Sequence, residues 1–67
     1  MDNNKLMNLR FRALNKDKKL IFEYFYNVSN FSVSYNEEGE YYNIYIYYQD
    51  TKITSFRVNN LIDVKIC

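Results

Sequence analysis

The residue types that could do chemistry in this chain are few. It has no histidine and a single cysteine, Cys67, so neither an imidazole base nor a Cys–His or Ser–His couple can be assembled. An intrachain disulfide and a zinc site of the usual kind lack their residues for the same reason, and no metal ligand or cofactor is expected. The one glycine, Gly39, excludes a glycine-rich loop that cradles phosphate. Glu37, Glu38 and Glu40 crowd together. Paired carboxylates can move protons or hold a hard cation, but beside a glycine in a polar run these read as a solvated turn tip. Cys67 reads as a bystander thiol. The expectation is a protein that is not an enzyme and has no catalytic residue.

Two groupings remain. The first is Tyr41, Tyr45 and Tyr47 with Arg57. Tyrosine and arginine are enriched at interaction hot spots, because they cover large area at modest entropic cost. These four are the expected partner-binding residues, unless another part of the chain covers them. The second is Arg10, Arg12, Lys16, Lys18 and Lys19. Basic groups beside aromatic rings on a sheet can bind single-stranded nucleic acid by charge and stacking. Against that, the net charge is only +1.

The elements that must position these residues centre on Glu40–Asp50, EYYNIYIYYQD. Aromatic and β-branched side chains suit a pleated surface, so Tyr41–Tyr48 is predicted as a central strand. Tyr42, Ile44, Ile46 and Tyr48 form its core face; Tyr41, Asn43, Tyr45 and Tyr47 form the other. Phe31–Tyr35 alternates and is predicted to pair with it across Asn36–Gly39. A four-residue loop there sets Tyr35 opposite Glu40, Val33 opposite Tyr42 and Phe31 opposite Ile44, whereas a three-residue loop would turn Phe31 and Val33 onto the tyrosine face. Gly39 is the residue expected to supply the positive φ of this turn. A second hairpin turns at Asp50–Lys52, with Tyr48 opposite Thr54, Ile46 opposite Phe56 and Ile44 opposite Val58. That register places Tyr45 opposite Arg57.

Met1–Asn4 reads as a frayed lead-in. Met7–Ala13 alternates, with Met7, Leu9, Phe11 and Ala13 inward. Asn15–Lys18 is a polar turn, and Leu20–Val28 is rich in aromatic and β-branched residues. Both segments are predicted as strands; the alternative is one helix within residues 3–28. Leu61-Ile62 is expected to turn back over one end of the core before a terminal strand, Asp63–Ile66. No internal repeat is apparent. The fold class is mainly β: one small domain over residues 1–67, built as an antiparallel meander of about five strands, or α+β if the helix forms.

Charge is uneven along the chain. Residues 1–20 hold six bases against two acids, 21–50 hold five acids and no base, and 51–67 hold three bases against one acid. Interleaving of these segments in a sheet is expected to neutralise them. No run approaches the ~20 apolar residues of a membrane span, and the N-terminus lacks a secretory apolar core, so a cytoplasmic address in a host cell and no membrane contact are expected. Ten Asn, six Lys, six Ile, eight Tyr and five Phe, all residue types with AT-rich codons, suggest a low-GC bacterial or phage genome.

Phe11–Ile21, FRALNKDKKLI, resembles the opening strand–turn–strand of YopX-like phage proteins, a pattern of the type FRAWDK followed by KKM. Phe11, Arg12, Ala13, Lys16, Lys18 and Lys19 fit, while Leu14 stands for the usual tryptophan and Asn15 for the usual aspartate. The resemblance implies a phage or prophage origin and a β conformation here, and brings no chemistry with it. The functional expectation is a phage-type protein that binds and inhibits or modulates a host protein, an enzyme or a defence system such as CRISPR-Cas, with a homodimer also in view. The alternatives are a nucleic-acid-binding module working through the basic hairpin, and a structural subunit of an oligomer.

Overall fold

The computed structural model describes residues 5–67. The expected fraying of Met1–Asn4, and a helix start at Asn3 or Asn4, lie outside them. The described chain is all β: β1 Met7–Leu14, β2 Leu20–Val28, β3 Asn30–Asn36, β4 Tyr41–Tyr47, β5 Ile53–Val58 and β6 Asn60–Ile66. The helical alternative for the first 28 residues does not form. Leu20–Val28 holds aromatic and β-branched side chains that pack on a pleat, and three lysines just before it would crowd the positive end of a helix.

The strands make two sheets rather than one meander, in the orders β2-β1-β6 and β3-β4-β5. All pairings are antiparallel. A single residue carries the chain between sheets on each passage: Ser29 from β2 to β3, and Asn59 from β5 to β6. Ser29 is anchored there, its backbone N–H and its hydroxyl both donating to the Tyr47 carbonyl at 2.9 Å. The two halves of the chain share one plan. Each has a central strand, a hairpin, and an edge strand that switches sheets just after a buried valine, at Val28-Ser29-Asn30 and Val58-Asn59-Asn60. The two switches share the pattern Val-x-Asn, too short a likeness to announce the repeat in the sequence.

The core lies between the sheets. Leu9, Phe11 and Ala13 of β1 meet Ile44 and Ile46 of β4, with Val28 and Val58 closing the two switch points; all seven are buried. Phe11 makes edge-to-face contacts with Phe25, Phe31 and Phe56 at centroid distances of 5.8, 5.9 and 5.5 Å. One ring thus touches β2, β3 and β5, and ties the sheets together.

Both hairpins of the second sheet slide by two residues from the expected register. Asn36 pairs with Tyr41 across loop residues 37–40, setting Val33 opposite Ile44 and Phe31 opposite Ile46. On the other side Ile44 faces Phe56 and Asn43, not Tyr45, faces Arg57. A slide of two preserves every side-chain facing, so hydrophobic pattern alone does not choose between these registers. The turns choose. Glu40 and Thr51, not Gly39, adopt positive φ, at 58° and 69°. Asn36 organises the first loop, its side-chain oxygen accepting from Gly39 N–H at 2.8 Å and its carbonyl from Glu40 N–H at 2.8 Å. Gly39 is needed for room: a Cβ there would overlap the Tyr41 ring.

Two bulges adjust the first sheet. The pairing of β2 shifts between Met7 and Leu9. Asn27, with φ of 58°, supplies the extra residue, and its N–H donates to the Asn8 side-chain oxygen at 3.1 Å. The shift turns Val28 inward although Leu20, Phe22, Tyr24 and Tyr26 point out. A second shift, between Arg12 and Ala13, leaves Ile62 exposed and lets Leu61 reach the core. The expected turn at Leu61-Ile62 is therefore a bulge inside β6.

Candidate functional site

The outward face of the second sheet follows from its pairing. Tyr41, Asn43, Tyr45 and Tyr47 run down β4. Opposite them stand Asn36, Ser34, Ser32 and Asn30 on β3; Arg57, Ser55 and Ile53 on β5 face Asn43, Tyr45 and Tyr47. No described element of the chain packs over this face. It is therefore neither a second core nor a surface hidden under a helix, and all four expected partner-binding residues share it.

Its side chains are held. The Arg57 guanidinium lies over the Tyr41 ring, 4.5 Å from its centroid; contacts of this kind contribute roughly 0.5–1 kcal/mol at exposed sites. The arginine reaches Tyr41 diagonally, not Tyr45 as the expected register required. The Asn36 amide donates to the Tyr41 hydroxyl, and the Tyr47 hydroxyl meets Ser32 Oγ, both at 3.3 Å. Tyr45 sits between Ser32 and Ser55. Small neighbours leave its ring standing above the sheet.

The outward face of the first sheet collects the basic grouping only in part. Arg10 and Arg12 project from β1 beside Tyr24 and Phe22 of β2, and beside Lys65 and Asp63 of β6. Phe22 and Tyr24 stack on one another at 6.4 Å. Asp63, missed in the sequence, commands this face. Arg12 Nε donates to its two carboxylate oxygens at 3.1 and 3.2 Å and Arg12 Nη2 donates as well, while Arg10 Nη2 lies 3.5 Å away. The Arg12 hydrogen bonds and charge hold the Asp63 carboxyl below its ordinary pKa, and Asp63 in turn raises that of Arg12. The signal was present as an acid in alternation with Lys65, but its partner lies 51 residues away. Lys16, Lys18 and Lys19 sit in or beside the β1–β2 turn and are exposed, at one end of this face.

The charges separate by sheet instead of neutralising. Residues 5–28 and 60–67 hold Lys5, Arg10, Arg12, Lys16, Lys18, Lys19 and Lys65 against Asp17, Glu23 and Asp63, a net of +4. Residues 30–58 hold Lys52 and Arg57 against Glu37, Glu38, Glu40 and Asp50, a net of −2. The +4 comes entirely from residues 5–28, which form β1 and β2 side by side; in β6, Lys65 and Asp63 cancel.

Two shallow clefts flank the switch points, of about 300 Å³ beside Leu6, Tyr48 and Lys52 and about 260 Å³ beside Lys16, Tyr35 and Glu40. Among the described residues no three His, Cys, Asp or Glu gather as metal ligands, and no helix is long and apolar enough to cross a membrane. Glu37, Glu38 and Cys67 are exposed. Comparison with family models, with curated proteins and with solved structures finds no match.

Proposed function

We propose that this protein works by stoichiometric binding to another protein, through the outward face of the second sheet. In this reading it is a phage-type inhibitor or modulator of a host enzyme or defence system. The supporting observation is the make-up of one uncovered face: three tyrosines and an arginine among serines and asparagines. Binding surfaces of antibodies use the same mixture, rigid amphipathic rings for area and small polar side chains for adaptable hydrogen bonds. Here the rings stand on paired strands rather than loops, so little freedom is lost on docking.

The test is capture from a low-GC bacterial lysate, treated with nuclease, by wild type and by a Tyr45→Ser, Tyr47→Ser variant. The expected result is one host protein retained by wild type and lost by the variant, with the thermal midpoint of the variant within a few degrees of wild type. Equal capture by both would remove the tyrosine face from the reading. A collapsed fold would show that these rings support the sheet.

The +4 sheet favours a second reading, single-stranded nucleic acid along Arg10, Arg12 and the lysine turn. Asp63 already occupies Arg12, which weakens it. Such binding would fall steeply with salt and would disappear in an Arg10→Glu, Arg12→Glu variant.

A further inference from the structure

We propose that two copies of this chain pair antiparallel along the free edge of β2, with Ile21 on the two-fold axis, joining two three-stranded sheets into one of six strands.

Among the described residues β2 is the longest strand, nine residues, and its pairing is to β1 alone. In the turn that precedes it, Asn15 N–H donates to the Lys19 carbonyl. Main-chain direction alternates along an antiparallel strand. Ile21 and Glu23 therefore spend their backbone groups on β1, while Leu20, Phe22 and Tyr24 turn theirs to the open edge.

Natural proteins blunt such edges with proline, lysine, bulges or short strands. Two of the other edges here are blunted. β5 has six residues and carries Arg57. β6 is bulged at Ile62 and carries Lys65. β3 is not blunted, but it is shorter than β2, at seven residues, and turns the small side chains of Ser32 and Ser34 outward. From Leu20 to Tyr26, β2 has no proline, lysine or bulge. Its one protective charge is Glu23, on the core-facing side opposite Phe11. It exposes Leu20, Phe22, Tyr24 and Tyr26 by 51, 46, 54 and 62%.

The strand also fits itself. With Ile21 on the axis, Lys19 of each copy stands opposite Glu23 of the other, and Leu20 stands opposite Phe22. An axis on Glu23 would oppose two carboxylates, and one on Phe22 would leave Glu23 against Ile21. Opposite charges directly across a ladder are favourable, like charges unfavourable. In this register the paired stretch is residues 19–23, because Lys18, with φ of 61°, turns the chain away and leaves Tyr24 and Tyr26 beyond it. The contact is therefore smaller than the roughly 1,000 Å² of a stable interface. A weak dimer, micromolar rather than nanomolar, is the expectation. The tyrosine face of the second sheet takes no part, so this inference stands or falls separately from the proposed function.

Sedimentation equilibrium on the nuclease-treated full chain, from micromolar to millimolar, tests it. Wild type should dimerise. Lys19→Glu and Glu23→Lys should each weaken the dimer roughly tenfold, since symmetry doubles each like-charge contact, and the double swap should restore it to within about threefold. Phe22→Ser should weaken it without lowering the unfolding midpoint. If Glu23→Lys unfolds, Lys19→Glu and Phe22→Ser, both at exposed side chains, carry the test. A wild type monomeric at millimolar concentration overturns the proposal, as does a dimer indifferent to these changes. A dimer dissolved by Tyr45→Ser with Tyr47→Ser would place the contact on the other sheet and also overturn it.

Discussion

Replacing Phe11 by alanine should remove most of the stability of this domain. Folded chains hold about 0.05–0.15 kcal/mol per residue, so a chain of this size has roughly 3–10 kcal/mol available. Phe11 is fully buried and contacts Phe25, Phe31 and Phe56, which belong to strands of both sheets. A buried phenylalanine cut to alanine costs about 3–5 kcal/mol. The cost here should lie at the upper end, because the three surrounding rings are held by different strands and cannot close on the cavity together. Phe11→Leu keeps most of the apolar area but loses the edge-to-face geometry, and should cost about 1–2 kcal/mol. Phe22→Ala, at a ring 46% exposed on the outer side of β2, is the control and should cost under about 1 kcal/mol. Urea unfolding followed by far-UV circular dichroism reads all three variants, with the slope against denaturant showing whether the sheets still unfold together. If Phe11→Ala costs no more than Phe22→Ala, the two sheets are not held by this ring and the account of the core is wrong.

Two further outcomes follow from single side chains. The folded pKa of Asp63 lies below its unfolded value, mainly through its hydrogen bonds with Arg12. The stabilisation it supplies is therefore present above the unfolded pKa and lost as pH falls through the folded one. Unfolding of wild type should ease on acidification below the ordinary carboxylate value of 3.8, and Asp63→Asn should flatten that part of the profile; identical acid limbs would dismiss the ion pair as a contributor. Gly39→Ala should push the Tyr41 ring aside and so off Arg57. The NMR signals of the Arg57 side chain, shifted by the ring in wild type, should return toward free arginine, and unchanged shifts would show that the loop absorbs the extra carbon.

The amino-acid sequence by itself determined that this chain is β, where most of its strands lie, and which side of each central strand faces the core. Those properties are local. Alternation in Met7–Ala13 and in Tyr41–Tyr48 acts between residues two apart, and a pleated strand converts it directly into two faces. Leu9, Phe11, Ala13, Ile44 and Ile46 are buried as that alternation requires. The tyrosine row with Arg57 was legible for the same reason, because sliding the hairpin by two residues keeps the row together.

Only the tertiary structure decided what depends on distant partners. That β6 pairs with β1 rather than closing a meander, that the chain divides into two sheets at Ser29 and Asn59, and that Asp63 reaches Arg12 are contacts across tens of residues. The register of each hairpin rested on positive φ at Glu40 and Thr51, residues whose types do not announce it. The charges separate because the base-rich first 28 residues pair with themselves as β1 and β2, while β6 brings Lys65 and Asp63 in balance. Period and composition fix the face a side chain occupies, but which face it meets is fixed by the path of the whole chain.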